Sequence, residues 1–167
     1  MGVIPRIGAT ILIAAVSLVL PTRRGQDREE EYLGKFERET NPIHRAKLMP
    51  KLGAAEFNEM EKDVNGGDIP AALSLLEKYR DQAQSCVKGL DGAQPDAERH
   101  PAGFKELQIS LREALRRLDN MMADMTRDQQ QEFRGVRMDL DQMNRHVIQE
   151  LFPRQPLPAA TPNKAKS

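Results

Sequence analysis

Three histidines are the side chains best suited to chemistry in this 167-residue sequence, because imidazole binds metals and exchanges protons near neutral pH. His44, His100 and His146 are scattered, and none follows a glutamate by three residues, as helical di-iron sites require. Gln142, His146 and Glu150 recur every four residues and would share one helix face. This spacing would suit a surface metal site, but a solvated polar face is the simpler explanation, and we predict no metal ligands.

Catalytic motifs are absent from the sequence. It has no nucleophile elbow, no phosphate-binding glycine loop, no Cys-x-x-Cys pair and no haem attachment motif. The carboxylates of Asp139 and Asp141, two residues apart, would project to different sides of a helix. Cys86 is the only cysteine and lies among apolar residues, which indicates a buried side chain, with an intermolecular disulfide as the alternative. We predict no enzyme, no catalytic residue and no cofactor.

Methionines concentrate in the last third of the chain, and they suggest where a partner protein would bind. Methionine is flexible and polarizable, so it either fills gaps in a core or forms an adaptable binding surface. Met121, Met125 and Met143 fall on apolar heptad positions and should be core. Met122 and Met138 lie one or two positions away, where they could stay partly exposed. We therefore predict a partner surface near Met122 and Met138, with the edge of an ordinary core as the alternative.

All of these side chains must be carried by helices, because apolar residues recur at helical spacing throughout. The clearest pattern covers residues 68–90, one amphipathic helix that must bury its stripe against neighbours. The sequence lacks Trp and uses Met eight times, which favours helix packing over sheet. We predict an all-α domain over residues 26–152, a helical-hairpin array or bundle of about five helices. The stripe of residues 68–90 comprises Ile69, Leu73, Leu76, Tyr79, Ala83, Cys86, Val87 and Leu90.

A short charged helix is predicted over residues 27–39, and a second helix follows it. Asn41 and Pro42 start the second helix, since an asparagine oxygen caps free N–H groups and proline is tolerated at the first helical position. Pro50 interrupts the pattern, because proline removes a backbone donor and crowds the preceding turn. We expect a kink or a break at Met49.

The second helix and the helix of residues 68–90 should form a hairpin over residues 42–90, because Asn65, Gly66 and Gly67 end a helix and Asp68 caps the next. Gly67, Asp68, Ala72 and Leu73 resemble the Gly-Asp-x-x-x-Ala-Leu turn of a tetratricopeptide repeat. No second copy occurs at the repeat's period of about 34 residues. The resemblance therefore implies a local hairpin and does not extend to a peptide-binding groove.

A second hairpin is predicted at the C-terminal end of the domain. Residues 91–103 contain two prolines and two glycines and form a loop. Residues 104–152 then form two antiparallel helices with almost no connector. Residues 153–167 form a disordered, proline-rich tail. The heptad positions of the two helices are Phe104, Leu107, Leu111, Ala114, Leu118, Met121 and Met125, then Phe133, Val136, Leu140, Met143, Val147 and Glu150.

The junction between these two helices resembles a motif of known proteins. Met125, Thr126 and Gln129 are similar to the Leu-Thr-x-x-Gln motif of the Spy-like periplasmic chaperones, which are small exported helical proteins. The resemblance implies that the chain holds unfolded clients. Thr126 and Gln129 also fit a capping box, which satisfies the first backbone donors of any helix. Both interpretations remain open at this point.

The N-terminus predicts export. Arg6 precedes fourteen mostly apolar residues, 7–20, which fit the apolar region of a signal peptide. They would rise about 21 Å as a helix, short of the roughly 30 Å hydrocarbon core. Arg23 and Arg24 make a poor cleavage site, so residues 1–25 form either a signal peptide or a retained membrane anchor. We predict a periplasmic or secreted protein, with the anchor as the alternative.

The charge distribution argues against nucleic acid as a partner. All 25 acidic residues lie from Asp27 onward, whereas Arg6, Arg23 and Arg24 precede it, so the chain after residue 25 has a net charge of −3. Charges of both signs are interspersed, and no basic stripe is visible. We predict a non-catalytic exported protein, monomeric or dimeric, that binds an unknown protein partner in the cell envelope. A holdase chaperone is the alternative, and a metal-binding bundle is the weaker one.

Overall fold

The computed structural model describes residues 24–93 and 96–153, and these form five α-helices and no strand. The prediction of an all-α fold with five helices is confirmed. The first helix begins inside the predicted signal segment, and the rest of that segment lies outside the described residues, as does the predicted tail after Pro153. The helices are α1 (Arg24–Arg38), α2 (Pro42–Gly66), α3 (Ile69–Ala93), α4 (Phe104–Ala123) and α5 (Arg127–Leu151).

The α2–α3 hairpin is built from the predicted caps. The Asn41 side chain accepts hydrogen bonds from the backbone N–H groups of Ile43 and His44, at 2.9 and 3.1 Å. Gly67 ends α2 in the left-handed conformation, with φ of 82°, which glycine adopts without steric cost. Asp68 then accepts a hydrogen bond from the N–H of Ala71 at the start of α3. These caps fix the turn between two antiparallel helices.

Pro50 does not break the second helix. We expected a kink or a break at Met49, and the prediction of a break is wrong. Helix α2 continues from Pro42 to Gly66 with Pro50 inside it. Proline in a helix interior costs about 3 kcal/mol. Met49 and Leu52 on either side are fully buried. Burial of such side chains contributes about 2 kcal/mol each, so packing of the helix offsets the lost hydrogen bond.

Helix α2 lies at the centre of the fold, because α1, α3 and α4 all pack against it. Helix α5 packs against α3 and α4. The Phe57 and Tyr79 rings meet edge to face, 5.3 Å apart, where α2 and α3 cross. The Tyr79 hydroxyl reaches α4, where it forms a hydrogen bond of 2.8 Å with the Ser110 hydroxyl. One continuous core therefore joins the two hairpins.

The C-terminal hairpin is antiparallel, as predicted. Arg137 of α5 pairs with Asp119 of α4 across the turn, and the Gln130 side chain donates to the carbonyl oxygens of Met122 and Met125 at the end of α4. Every predicted heptad position is buried except Met143 and Glu150, which are partly buried.

Candidate functional site

The predicted partner surface keeps only one of its two methionines. Met138 is 69% exposed. Met122 is buried, so the expectation that it would stay partly exposed is wrong. The reason is that α4 packs against α2 and α3 as well as α5, so its buried face is wider than the single heptad seam read from the sequence. The two methionines therefore do not form a common exposed patch.

Met138 belongs instead to a different surface, the α5 outward stripe, which we define as Met138, Asp141, Arg145, Ile148 and Phe152. Met138, Asp141, Arg145 and Ile148 follow one another by three or four positions and so lie on one side of α5, and Phe152 directly follows the last residue of the helix. Met138, Ile148 and Phe152 are 69, 38 and 71% exposed, and they are three of the four exposed large hydrophobic residues in the described part of the chain. The spacing was readable in the sequence, but the exposure of Ile148 and Phe152 was not.

The α5 outward stripe carries a charge at its centre. Arg145 is 75% exposed and pairs with Asp141, one turn away, at 2.8 Å. Beyond it, Ile148, Gln149 and Phe152 border a shallow depression. The surface therefore offers apolar side chains at both ends and a guanidinium between them. Such a surface can bind an apolar helix face but holds no group arranged for catalysis.

The histidine candidates are placed apart from one another. Nε2 of His146 lies 3.0 Å from the carboxylate of Asp91, at the end of α3. His44 lies 3.8 Å from Glu39, and His100 is exposed. Within residues 24–93 and 96–153, no group of three or more His, Cys, Asp or Glu side chains is arranged to hold a metal ion.

A buried polar cluster lies where α1, α2 and α3 meet, and the sequence did not reveal it. Glu56 of α2 is fully buried. Its Oε1 accepts a hydrogen bond from Gln82 Nε2 at 2.9 Å and lies 3.5 Å from the Lys78 ammonium. Lys78 is closer to Glu29 of α1, at 3.0 Å. We call these four residues the Glu56 cluster.

Burial controls the protonation of the Glu56 cluster. It raises the pKa of Glu56 from 4.5 to about 7, although the Gln82 hydrogen bond and the Lys78 charge lower that pKa. Burial lowers the pKa of Lys78, but the hydrogen bond to Glu29 and the charge of Glu56 outweigh this effect and raise it. Lys78 thus stays charged and pairs mainly with Glu29, which leaves Glu56 only weakly held in its ionised form.

Two acceptor atoms in the Glu56 cluster have no hydrogen-bond partner among the described residues. They are Oε2 of Glu56 and Oε1 of Gln82, and both are buried. A buried, unpaired polar atom costs about 1–3 kcal/mol. The cluster can exchange a proton near neutral pH, but its carboxyl group is shielded from any substrate in solution. It therefore has the properties of a site where docking of helices is coupled to protonation.

Cys86 lies in the core, as its place on the α3 stripe predicted. Its side chain is 1% exposed. Burial raises the pKa of the Cys86 thiol to about 12. A thiol that is both buried and protonated reacts slowly. An intermolecular disulfide would require α3 to leave the core.

The Thr126 motif forms a capping box. The Thr126 oxygen accepts from the N–H of Gln129, and the Gln129 oxygen accepts from the N–H of Thr126 at 3.0 Å. Thr126→Ala is expected to lower the free energy of unfolding by about 1 kcal/mol, because the first turn of α5 loses an acceptor. Urea denaturation measures this loss, with Thr40→Ala as the control, since Asn41 and not Thr40 caps α2. An unchanged stability in both variants would show that the motif serves another purpose.

Comparisons with family models, with curated proteins and with solved structures found no match to this chain. Among the helices described, none is both long and apolar enough to cross a membrane.

Proposed function

We propose that this protein is a non-catalytic interaction module of the cell envelope that binds a partner protein through the α5 outward stripe. The observation that carries the proposal is the alignment of exposed apolar side chains along one face of one helix. Exposed hydrophobics scattered singly are ordinary, but apolar side chains in line at helical spacing form a surface that a partner helix can contact. Export is supported by Arg6 and the apolar residues 7–20 that follow it.

The charge at the centre of the stripe indicates what kind of partner fits. Arg145 lies midway between Met138 and Phe152 along the chain. If two copies of α5 paired in register, parallel or antiparallel, Arg145 would face Arg145 of the other copy, and like charges repel. A helix of another protein, with apolar residues at heptad spacing and a carboxylate facing Arg145, avoids that repulsion. We therefore infer a heterologous helical partner.

A photo-crosslinking experiment tests the proposal. The crosslinking residue is placed at position 138 or 152 of the full chain in the producing cell, and at position 109 as the control, because Ile109 is also exposed but lies on α4. We expect the same partner to be captured from both α5 positions and not from position 109. Equal capture at all three positions would contradict the proposal. Capture of many unrelated proteins at positions 138 and 152 would instead support the alternative function of a holdase chaperone.

The double variant Met138→Gln, Phe152→Gln is expected to weaken binding of the identified, purified partner by at least about tenfold, since each exposed apolar contact contributes on the order of 1 kcal/mol. Its melting temperature should stay within about 1 °C of the wild type, because exposed positions contribute little to stability. Ile109→Gln is the matched control and should bind normally. Titration calorimetry measures the affinities, and unchanged binding in the double variant would place the interaction elsewhere.

A further inference from the structure

We propose that the Glu56 cluster makes the docking of α1 pH-dependent, so that α1 is held more tightly in mildly acidic than in mildly alkaline solution. This inference does not depend on the proposed partner binding. It concerns α1, which packs against α2 and not against α5.

The contacts of α1 make it the helix best able to move separately. Helix α1 packs against α2 and reaches α3 through the Glu29–Lys78 ion pair. Among residues 28–38 of α1, whose side chains are described, Phe36 alone is fully buried, and Tyr32 and Leu33 are partly buried. Three residues connect α1 to α2. A helix with one buried anchor that packs against a single neighbour can separate from it while the other four helices stay packed.

The position of Glu56 ties this movement to protonation. The carboxylates of Glu29 in α1 and of Glu56 in α2 both contact the Lys78 ammonium. Helix α1 is therefore part of the cover that keeps the Glu56 carboxyl out of water. The titratable groups facing Glu56 are Glu29 from α1 and Lys78 and Tyr79 from α3. Helix α4 also packs against α2, but it contributes no charged group to this set.

Two energetic terms oppose docking when Glu56 is ionised. A buried carboxylate has lost its hydration, and Oε2 of Glu56 has no donor to replace it. The neighbouring Glu29 repels the charge as well. The Lys78 ammonium attracts the Glu56 carboxylate, but it lies 3.5 Å away and is paired with Glu29 at 3.0 Å. Water that enters when α1 leaves would hydrate the carboxylate, so ionisation favours the undocked state.

The sign of the pH dependence follows from the pKa difference. The pKa of Glu56 is about 7 with α1 docked and should approach 4.5 when α1 leaves. The docked state therefore binds more protons. Its advantage is fully present below pH 4.5 and is lost as the pH rises through about 7. Between pH 6 and pH 8.5 the equilibrium constant for undocking should rise roughly tenfold.

Hydrogen exchange in the full chain tests this. Protection factors, corrected for intrinsic exchange, are compared for residues 28–38 of α1 and residues 107–118 of α4, at pH 6 and pH 8.5. We expect α1 to be less protected than α4 at both pH values, and its protection to fall about tenfold between them. In Glu56→Gln, the fall in α1 should disappear. Glu77→Gln is the control, because Glu77 is an exposed neighbour of Lys78 on α3, and it should behave as the wild type.

Several outcomes would overturn the inference. If α1 and α4 have equal protection at both pH values, the whole fold opens as one unit and α1 does not move separately. If the wild type and Glu56→Gln lose protection in parallel, Glu56 is not the titrating group. Glu56→Met is the second variant, since it removes the titration without introducing an amide, and it must give the same flat profile. A profile that still falls in both variants contradicts the proposal even if one of them is unstable.

Discussion

Gly53→Ala is expected to lower the free energy of unfolding by about 3 kcal/mol, because α2 has no room for a methyl group at this position. A Cβ atom added to Gly53 would lie 2.7 Å from Cε2 of Tyr79 and 3.3 Å from the Ser110 hydroxyl. Real Cβ atoms essentially never approach another atom so closely. For a chain of this length the loss corresponds to a drop in melting temperature of roughly 6–12 °C.

The Tyr79 ring cannot move away to relieve the contact. It is fully buried, its hydroxyl is 2.8 Å from that of Ser110, and its edge meets the ring of Phe57. A shift of the ring would break the hydrogen bond and leave two buried hydroxyl groups without partners. The backbone of α2 must therefore move away from α3 and α4, which weakens the centre of the fold.

Gly135→Ala is the matched control for the same chemical change. Gly135 lies inside α5, where an added Cβ would meet no atom within 4 Å. Alanine is favoured over glycine in a helix by about 1 kcal/mol, so this variant should be more stable than the wild type. Thermal and urea denaturation, followed by circular dichroism, measure both variants. If Gly53→Ala were also stabilised, the close packing of α2 against Tyr79 would be disproved.

The helices could be predicted because their signals are local. Apolar spacing within a helix shows which face must be buried. Asn41 and Thr126 accept hydrogen bonds from free N–H groups at the start of α2 and α5, and Gly67 ends α2. The break expected at Met49 does not occur, because the packing of α2 against three other helices offsets the local penalty of Pro50. Met122 was misjudged for the same reason, since the width of a buried face depends on how many helices surround it.

The two sites depended on tertiary placement and could not be predicted fully. Glu56 lies between Ala55 and Phe57 in the sequence, and only the packing of α1 and α3 against α2 shows that its carboxyl is buried. The α5 outward stripe was partly predictable, because Met138 was predicted to stay partly exposed and Ile148 and Phe152 follow it at helical spacing. That spacing alone did not show which face of α5 remains uncovered after α3 and α4 have packed against it.

Glu56→Gln is expected to raise the free energy of unfolding by up to about 3 kcal/mol at pH 8, with a much smaller gain at pH 5. Burial raises the pKa of Glu56 from 4.5 to about 7, so folding of the wild type at pH 8 must either bury a carboxylate or take up a proton. At pH 5 the folded protein already holds the proton, and the unfolded chain is partly protonated as well. The difference between variant and wild type should therefore shrink to below about 1 kcal/mol.

The surroundings of Glu56 should accept the glutamine. Oε1 of Gln82 is buried and has no hydrogen-bond donor in the described structure, and the new amide supplies one. Lys78 keeps its ion pair with Glu29. Urea denaturation at the two pH values measures the effect, with the exposed Glu77→Gln as the control that should change little at either pH. If Glu56→Gln were less stable than the wild type at pH 8, the buried carboxylate would be stabilised by Lys78 and Gln82 more than it is penalised by the loss of water.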